Sequence, residues 1–412
     1  MRQAPVMACL LVAVFVTDPA AQRQADTSLQ QLYDGGRWFD LQDAVRGRDT
    51  SPLFSGAINS AFNRVEDAER YLRQAIQSAA DAKAGNEARG VLAKLYLRLG
   101  RSSAAGRLID EILASEPQLS GIENVRVMFG AYRDRPDQTA QVHRPARFRC
   151  EVTDRGVHIP LLVNDRAATW LLDTGANITV LSEAEAKTLG VVVEAARSRL
   201  DDLAGGTTTV RTARLQRLVI GGTELRNVRA VVLPDSLPPF NDMPQGKRGL
   251  IGLPVALALG TVGWTKAGIC QTGPADPRRT DNPPNLAFDD FQPLIRVAFS
   301  GGPLDFVLDT GNQAGTQLWA RFEREFSALV KERGIKSTQR VNQIGGSNER
   351  EVTVISELPL RIGGRDTVLK PAIIFYRPVG DERRHGNLGM DVLGQATGVT
   401  IDFGSMVLTF AQ

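Results

Sequence analysis

At 412 residues the chain is long enough for two or three domains with ordinary cores. Hydrophobic residues at 42% and charged ones at 23% give the balance of a soluble globular protein, and a net charge of +3 without a Lys/Arg-rich run argues against a nucleic-acid partner. His143, His158 and His385 are isolated and no Cys-x-x-Cys spacing is present, so neither a metal nor a cofactor is expected.

In chain order, Arg2 precedes an apolar stretch from Val6 to Val16, followed by Thr17-Asp18-Pro19-Ala20-Ala21. This stretch is too short for a membrane span of about 20 residues but suits a secretory signal over residues 1–21, cut near Ala20 or Ala21. Cys9 lies ahead of most of the apolar stretch, which argues against a lipid-modified cysteine. No later stretch could span a bilayer. The expectation is an exported protein, periplasmic or secreted, with no membrane span after signal cleavage. Export permits a disulfide between the remaining Cys150 and Cys270. Two buried, unpaired thiols fit the sequence equally well.

Residues 26–135 have helical periodicity. Ala68, Leu72, Ala75 and Ile76 form one apolar stripe; Leu92, Leu95, Tyr96 and Leu99 form another. A weak repeat aligns Asn63-Arg64-Val65-Glu66-Asp67-Ala68 with Gly100-Arg101-Ser102-Ser103-Ala104-Ala105. A turn residue followed by small residues is what a helical hairpin requires, and Ser115-Glu116-Pro117 closes the second unit. The segment resembles degenerate tetratricopeptide repeats. Such helices either dock a protein partner or cap the fold with stripes that only fill their own core.

After the polar, Pro-containing stretch from Arg133 to Pro145 the period shifts toward two, with many β-branched residues and glycines. Two β-rich halves are expected, 146–272 and 286–412, joined by a linker over 273–285 that starts Gly273-Pro274-Ala275-Asp276-Pro277. In the first half, Trp170-Leu171-Leu172 runs into Asp173-Thr174-Gly175; in the second, Phe306-Val307-Leu308 runs into Asp309-Thr310-Gly311. A lone Asp-Thr-Gly arises by chance in about one in ten chains of this size, and is then a turn with a capping aspartate. Here three more landmarks recur in the same order at nearly constant spacing. Gly205-Gly206 is echoed by Gly345-Gly346, Ile220-Gly221-Gly222 by Ile362-Gly363-Gly364, and Leu250-Ile251-Gly252-Leu253 by Asn387-Leu388-Gly389-Met390. The halves are tandem duplicates.

These halves resemble the lobes of pepsin/retropepsin-type aspartic proteases, especially bacterial retropepsin-like members, over roughly residues 148–412. The resemblance implies a multidomain α and β protein: N-terminal α-helical hairpin repeats followed by a bilobal all-β acid protease fold. It implies an aspartic-type endopeptidase acting on polypeptides, with Asp173 and Asp309 as the catalytic dyad. Two adjoining carboxyls hold one proton between them and activate a water, a property of that family rather than one read from this spacing. Thr174 and Thr310 would lock the two loops across the axis, and Gly175 and Gly311 would permit their close approach. Leu250-Ile251-Gly252 and Leu388-Gly389 would run behind the loops. The pairs Gly205-Gly206 and Gly345-Gly346 would be tips of mobile flaps. Because one chain carries both copies, the site does not require a dimer.

Several residues depart from the family pattern. Asp309-Thr310-Gly311 continues into Asn312-Gln313, without the hydroxyl residue that pepsins often place there. Neither flap has a tyrosine, and the second supporting motif begins with polar Asn387. These departures point to the second half as the place where activity would be altered or lost. Two other functions fit the same residues: a catalytically silent protease-like protein that binds peptides, and a scaffold acting through its helical repeats.

Overall fold

The computed structural model describes residues 28–118, 135–142, 144–201, 207–274, 283–343, 346–376 and 383–411. The expected signal segment, the flap-tip residues Gly205, Gly206 and Gly345, and most of the expected linker lie outside these residues. The chain divides into two units, Met1–Arg48 and Asp49–Gln412. In the first, a helical stretch over 28–34 is followed by the helix Trp38–Ala44. The Tyr33 and Trp38 rings meet edge-on at 5.7 Å.

The second unit opens with two helical hairpins, Pro52–Ala61 with Val65–Gln77 and Asn86–Arg98 with Ser102–Ser115. The Ser51 hydroxyl caps the first helix by accepting from the Phe54 N–H at 3.3 Å, with Pro52 at its first position. The aligned turn residues Asn63 and Gly100 both take left-handed backbone, at φ 55° and 72°. Ala68, Leu72, Leu92, Leu95 and Tyr96 are buried between the hairpins, and Ala75, Ile76 and Leu99 pack against them from partly exposed positions.

Among the described residues the β-rich region forms four sheets. A nine-stranded sheet is drawn from residues 139–251 and an eight-stranded sheet from 286–388. Each is organised around the same parallel pair. In the first, Gly249–Ile251 lies beside Arg166–Leu172, with Leu250 opposite Leu171 and Ile251 opposite Leu172. In the second, Gly386–Leu388 lies beside Leu304–Leu308, with Asn387 opposite Val307 and Leu388 opposite Leu308. Both strands of each pair are short and largely apolar, as parallel strands covered on two faces must be. The turns Gly221-Gly222 and Gly363-Gly364 each join adjacent antiparallel strands. Their settings differ: the first hairpin belongs to the main sheet, the second to a separate two-stranded sheet. The strand Thr139–Val142, inside a stretch legible only as a break, pairs with Thr223–Leu233.

A five-stranded sheet takes strands from both halves. Thr261–Thr265 of the first pairs antiparallel with Gly398–Asp402 of the second. Cys150 and Cys270 form a disulfide, with their Cα atoms 5.7 Å apart, joining the end of strand Ala146–Arg149 to its neighbour Ile269–Gly273. That choice was open in the sequence and is settled by the pairing of these two strands.

The helical hairpins and the second β half share a buried cation. Arg98 is 2% exposed. Its guanidinium donates to the Ser60 carbonyl at 2.6 Å and to the Asp290 carbonyl at 2.7 Å, and lies 4.2 Å from the centre of the Phe288 ring. Asn63 adds a bond from its amide to the Phe403 carbonyl at 2.8 Å. Phe291 packs against the helical core. Arg98→Ala is therefore expected to lower unfolding stability by about 2–4 kcal/mol, because it strands the buried Ser60 carbonyl and the part-buried Asp290 carbonyl and opens a cavity. Urea denaturation followed by circular dichroism checks this; an unchanged midpoint would make the cation dispensable.

Candidate active site

Both aspartates leave their strands in the same way. The Asp173 N–H donates to the Ile251 carbonyl at 3.1 Å, and the Asp309 N–H to the Leu388 carbonyl at 3.0 Å. Each supporting strand thus holds the end of its aspartate strand in register. Behind each loop a buried threonine hydroxyl accepts from the glycine of the supporting motif: Thr179 from Gly252 at 3.3 Å, Thr316 from Gly389 at 3.0 Å. The Thr316 hydroxyl in turn donates to Asp391 at 2.7 Å. Thr179 and Thr316 escaped sequence reading; a threonine recurring shortly after each Asp-Thr-Gly was the available signal.

Thr174 and Thr310, both fully buried, cross the axis between the halves. The Thr174 N–H donates to the Thr310 hydroxyl at 3.1 Å, and the Thr310 N–H to the Thr174 hydroxyl at 3.1 Å. The hydroxyls then donate to the opposite strands, Thr174 to the Leu308 carbonyl at 2.7 Å and Thr310 to the Leu172 carbonyl at 2.8 Å. Four bonds between duplicated residues fix one loop against the other.

Gly175 and Gly311 are required by the resulting closeness. A methyl group on Gly175 would lie 2.7 Å from the carboxyl carbon of Asp309, and one on Gly311 would lie 2.4 Å from that of Asp173. Each glycine therefore abuts the aspartate of the other half, and any side chain there would displace a carboxyl. The two carboxyls are thereby brought close enough for each to bear on the other's titration.

The two carboxyls are not equivalent. Asp173 Oδ1 accepts from the N–H groups of Gly175 at 2.9 Å and Ala176 at 3.0 Å. Asp309 Oδ1 accepts from the Gly311 N–H at 3.0 Å, and its Oδ2 from the Asn387 amide at 3.0 Å. Burial, then the charge of Asp309, pushes Asp173 up to about 8. Burial also raises Asp309, while the Asn387 amide and the N–H groups of Gly311 and Asn312 act against the rise. Both residues keep intermediate exposure, so the pair opens to solvent on one side while protein packs closely around the rest. Asp309 thus receives a side-chain donor, Asn387, where Asp173 is held by backbone N–H groups.

Asn312 serves its own turn, donating from its amide to the Gly315 carbonyl at 2.8 Å and accepting from the Ala314 N–H at 3.0 Å. Asn387, a polar misfit by sequence, reaches the dyad itself. The expected flaps correspond to two antiparallel hairpins, Val192–Asp201 with Thr207–Ile220 and Ile335–Gln343 with Gly346–Ile355. Gly346 lies in strand register opposite Gln343. Among the described residues no cluster of three or more His, Cys, Asp or Glu is arranged to hold a metal ion, and no helix is long and apolar enough to cross a membrane.

Residues 159–255 match the aspartyl protease family model. The matched stretch lies in the first half and contains Asp173-Thr174-Gly175 and Leu250-Ile251-Gly252. The crystal structure of a retropepsin-like aspartic protease from Rickettsia conorii is similar to part of the chain: 18% identity, covering 33% of this chain and 94% of that one, with a TM-score of 0.24. No curated protein matches the chain.

Proposed function

We propose that this chain is an aspartic-type endopeptidase that hydrolyses polypeptides with a water activated between Asp173 and Asp309. The observation that carries the reading is the reciprocal Thr174–Thr310 crossing, which turns two carboxyls from separate halves into one proton-sharing pair. Ionised Asp309 takes a proton from the water as its oxygen attacks the peptide carbonyl carbon. Asp173 gives its proton to the developing oxyanion, and collapse of the resulting diol breaks the C–N bond as the nitrogen receives a proton from Asp309 and one hydroxyl returns a proton to Asp173, leaving a carboxylic acid and an amine.

The wider reading follows from the same features. The duplicated sheets act as two lobes of an acid-protease fold, so no dimer is needed to build the site. The antiparallel pairs Val192–Asp201 with Thr207–Ile220 and Ile335–Gln343 with Gly346–Ile355 act as flaps over an extended substrate. The helical hairpins are tetratricopeptide-like and offer a surface for a protein partner. The apolar stretch from Val6 to Val16 directs export to the periplasm or beyond, where the Cys150–Cys270 disulfide is favoured.

The test is the chain lacking residues 1–21, incubated with a peptide library between about pH 3 and 8. Internal cleavage is expected, and Asp309→Asn should reduce it by about 10³-fold or more, since the base is lost. Equal cleavage by the variant would sink the reading.

A further inference from the structure

The two halves of the site differ at one equivalent position. Leu250 stands opposite Leu171 and Asn387 opposite Val307, in the same register of the same parallel pair. Leu250 is 8% exposed and packs with Leu171, Val231 and Phe240. An amide at the matching place gains nothing from joining an apolar cluster. Its Nδ2 donates to Asp309 Oδ2 at 3.0 Å, and its buried Oδ1 has no hydrogen-bond partner among the described residues. Leaving a buried carbonyl oxygen unpaired is costly, so the hydrogen bond to Asp309 is what the residue gains by being there.

We infer that Asn387 is a positioning residue that breaks the symmetry of the dyad, holding Asp309 as the ionised member and leaving Asp173 as the proton carrier. This rests on the proteolytic reading for its catalytic meaning, though not for its electrostatics. An amide N–H stabilises a carboxylate and opposes its protonation, and a bond to a charged acceptor is about twice as strong as a neutral one. Among the described residues, Asp173 faces Asp309 across the axis; the loops contribute the N–H groups of Gly175, Ala176, Gly311 and Asn312; the second supporting strand contributes the Asn387 amide. Asn387 is the neutral side chain that tells the two carboxyls apart. Without it, the acid and base roles would be shared between near-equivalent groups.

Two measurements separate this inference from the function it rests on. The first needs no activity. With Asp309 left alone by Asp173→Asn, its carboxyl is titrated by carbon-13 NMR with and without Asn387→Leu, the residue that the other half already accommodates. Loss of one charge-assisted bond should move the titration up by about one pH unit. In the converse background, Asp309→Asn, the Asp173 titration should not move. An unmoved Asp309, or an equal movement of Asp173, overturns the inference. Asn387→Ala serves as a second variant should the leucine disturb folding. The second measurement is the pH profile of kcat/KM. Asn387→Leu should shift its acid limb upward by about one unit, because protonating the base becomes easier. An acid limb that stays in place counts against the inference. If the unmodified protein cleaves nothing, the proteolytic reading fails while the titration still decides whether Asn387 grips Asp309.

Discussion

Asp173→Asn is expected to abolish peptide cleavage and, at the same time, to make the protein more stable at neutral pH. The first effect is loss of the general acid, worth about 10²–10⁴ in rate. The second follows from proton linkage. Asp173 is raised from its ordinary 3.8 to about 8, by burial first and the Asp309 charge second. Between these values the folded protein holds a proton that the unfolded chain has released. Stability therefore falls as pH rises through that window and levels off above it. An asparagine, neutral at every pH, removes the loss. Because one side of the pair is open to solvent, the gain at pH 7 should be on the order of 1 kcal/mol rather than the full value of the shift. Thermal unfolding of both proteins at pH 5 and pH 7 reads it directly. The wild type should lose stability between the two and the variant should lose less. A parallel decline would mean that Asp173 is not the group holding the proton. Under the proposed function the same shift sets the alkaline limit of activity: cleavage should persist toward neutral pH and fail as the pair gives up its last proton.

Thr174→Val should be nearly as damaging to activity and far worse for stability. Valine keeps the shape of threonine, so packing is unchanged, but the variant loses two bonds at a fully buried position. The Thr310 N–H loses its acceptor and the Leu308 carbonyl loses its donor. Two buried polar groups left unpaired cost about 1–3 kcal/mol each. The damage falls on the contact that holds one loop against the other, and a misplacement of about 1 Å costs on the order of 10²-fold in rate. Thr310→Val should match it, since its hydroxyl serves Thr174 N–H and Leu172 in the same way. The double variant should cost less than the two single costs summed, because the two variants remove different bonds but loosen the same contact between the loops. Urea midpoints and kcat/KM for the three proteins test this; full additivity would mean that the threonines act separately.

Several parts of the molecule were legible because their constraint is local. The helix stripes at Ala68, Leu72, Leu92 and Leu95 follow from the 3.6-residue period and are buried as that period requires. The turn residues Asn63 and Gly100 follow from the need for left-handed backbone between helices. The two Asp-Thr-Gly triplets stood out because each combines a strand end, a carboxyl and a residue without Cβ. Other features were hidden because they depend on contacts between residues far apart in the chain. Nothing near Arg98 announced that Ser60, Phe288 and Asp290 would surround it. Thr179 and Thr316 look like ordinary strand and loop residues until the supporting glycines arrive from further along the chain.

Asn387 shows where the boundary lies. By itself the sequence determined the duplication, the pair of aspartates, and the fact that a polar residue stands in the second half where the first has Leu250. Composition and order carry that much because the two copies can be laid on one another. Where that amide points was decided by tertiary structure alone. Parallel pairing sets Asn387 beside Val307, and that register brings its Nδ2 to Asp309. A hydrogen bond depends on direction and on distances of a few tenths of an ångström, and those are properties of packed strands rather than of the order of residues.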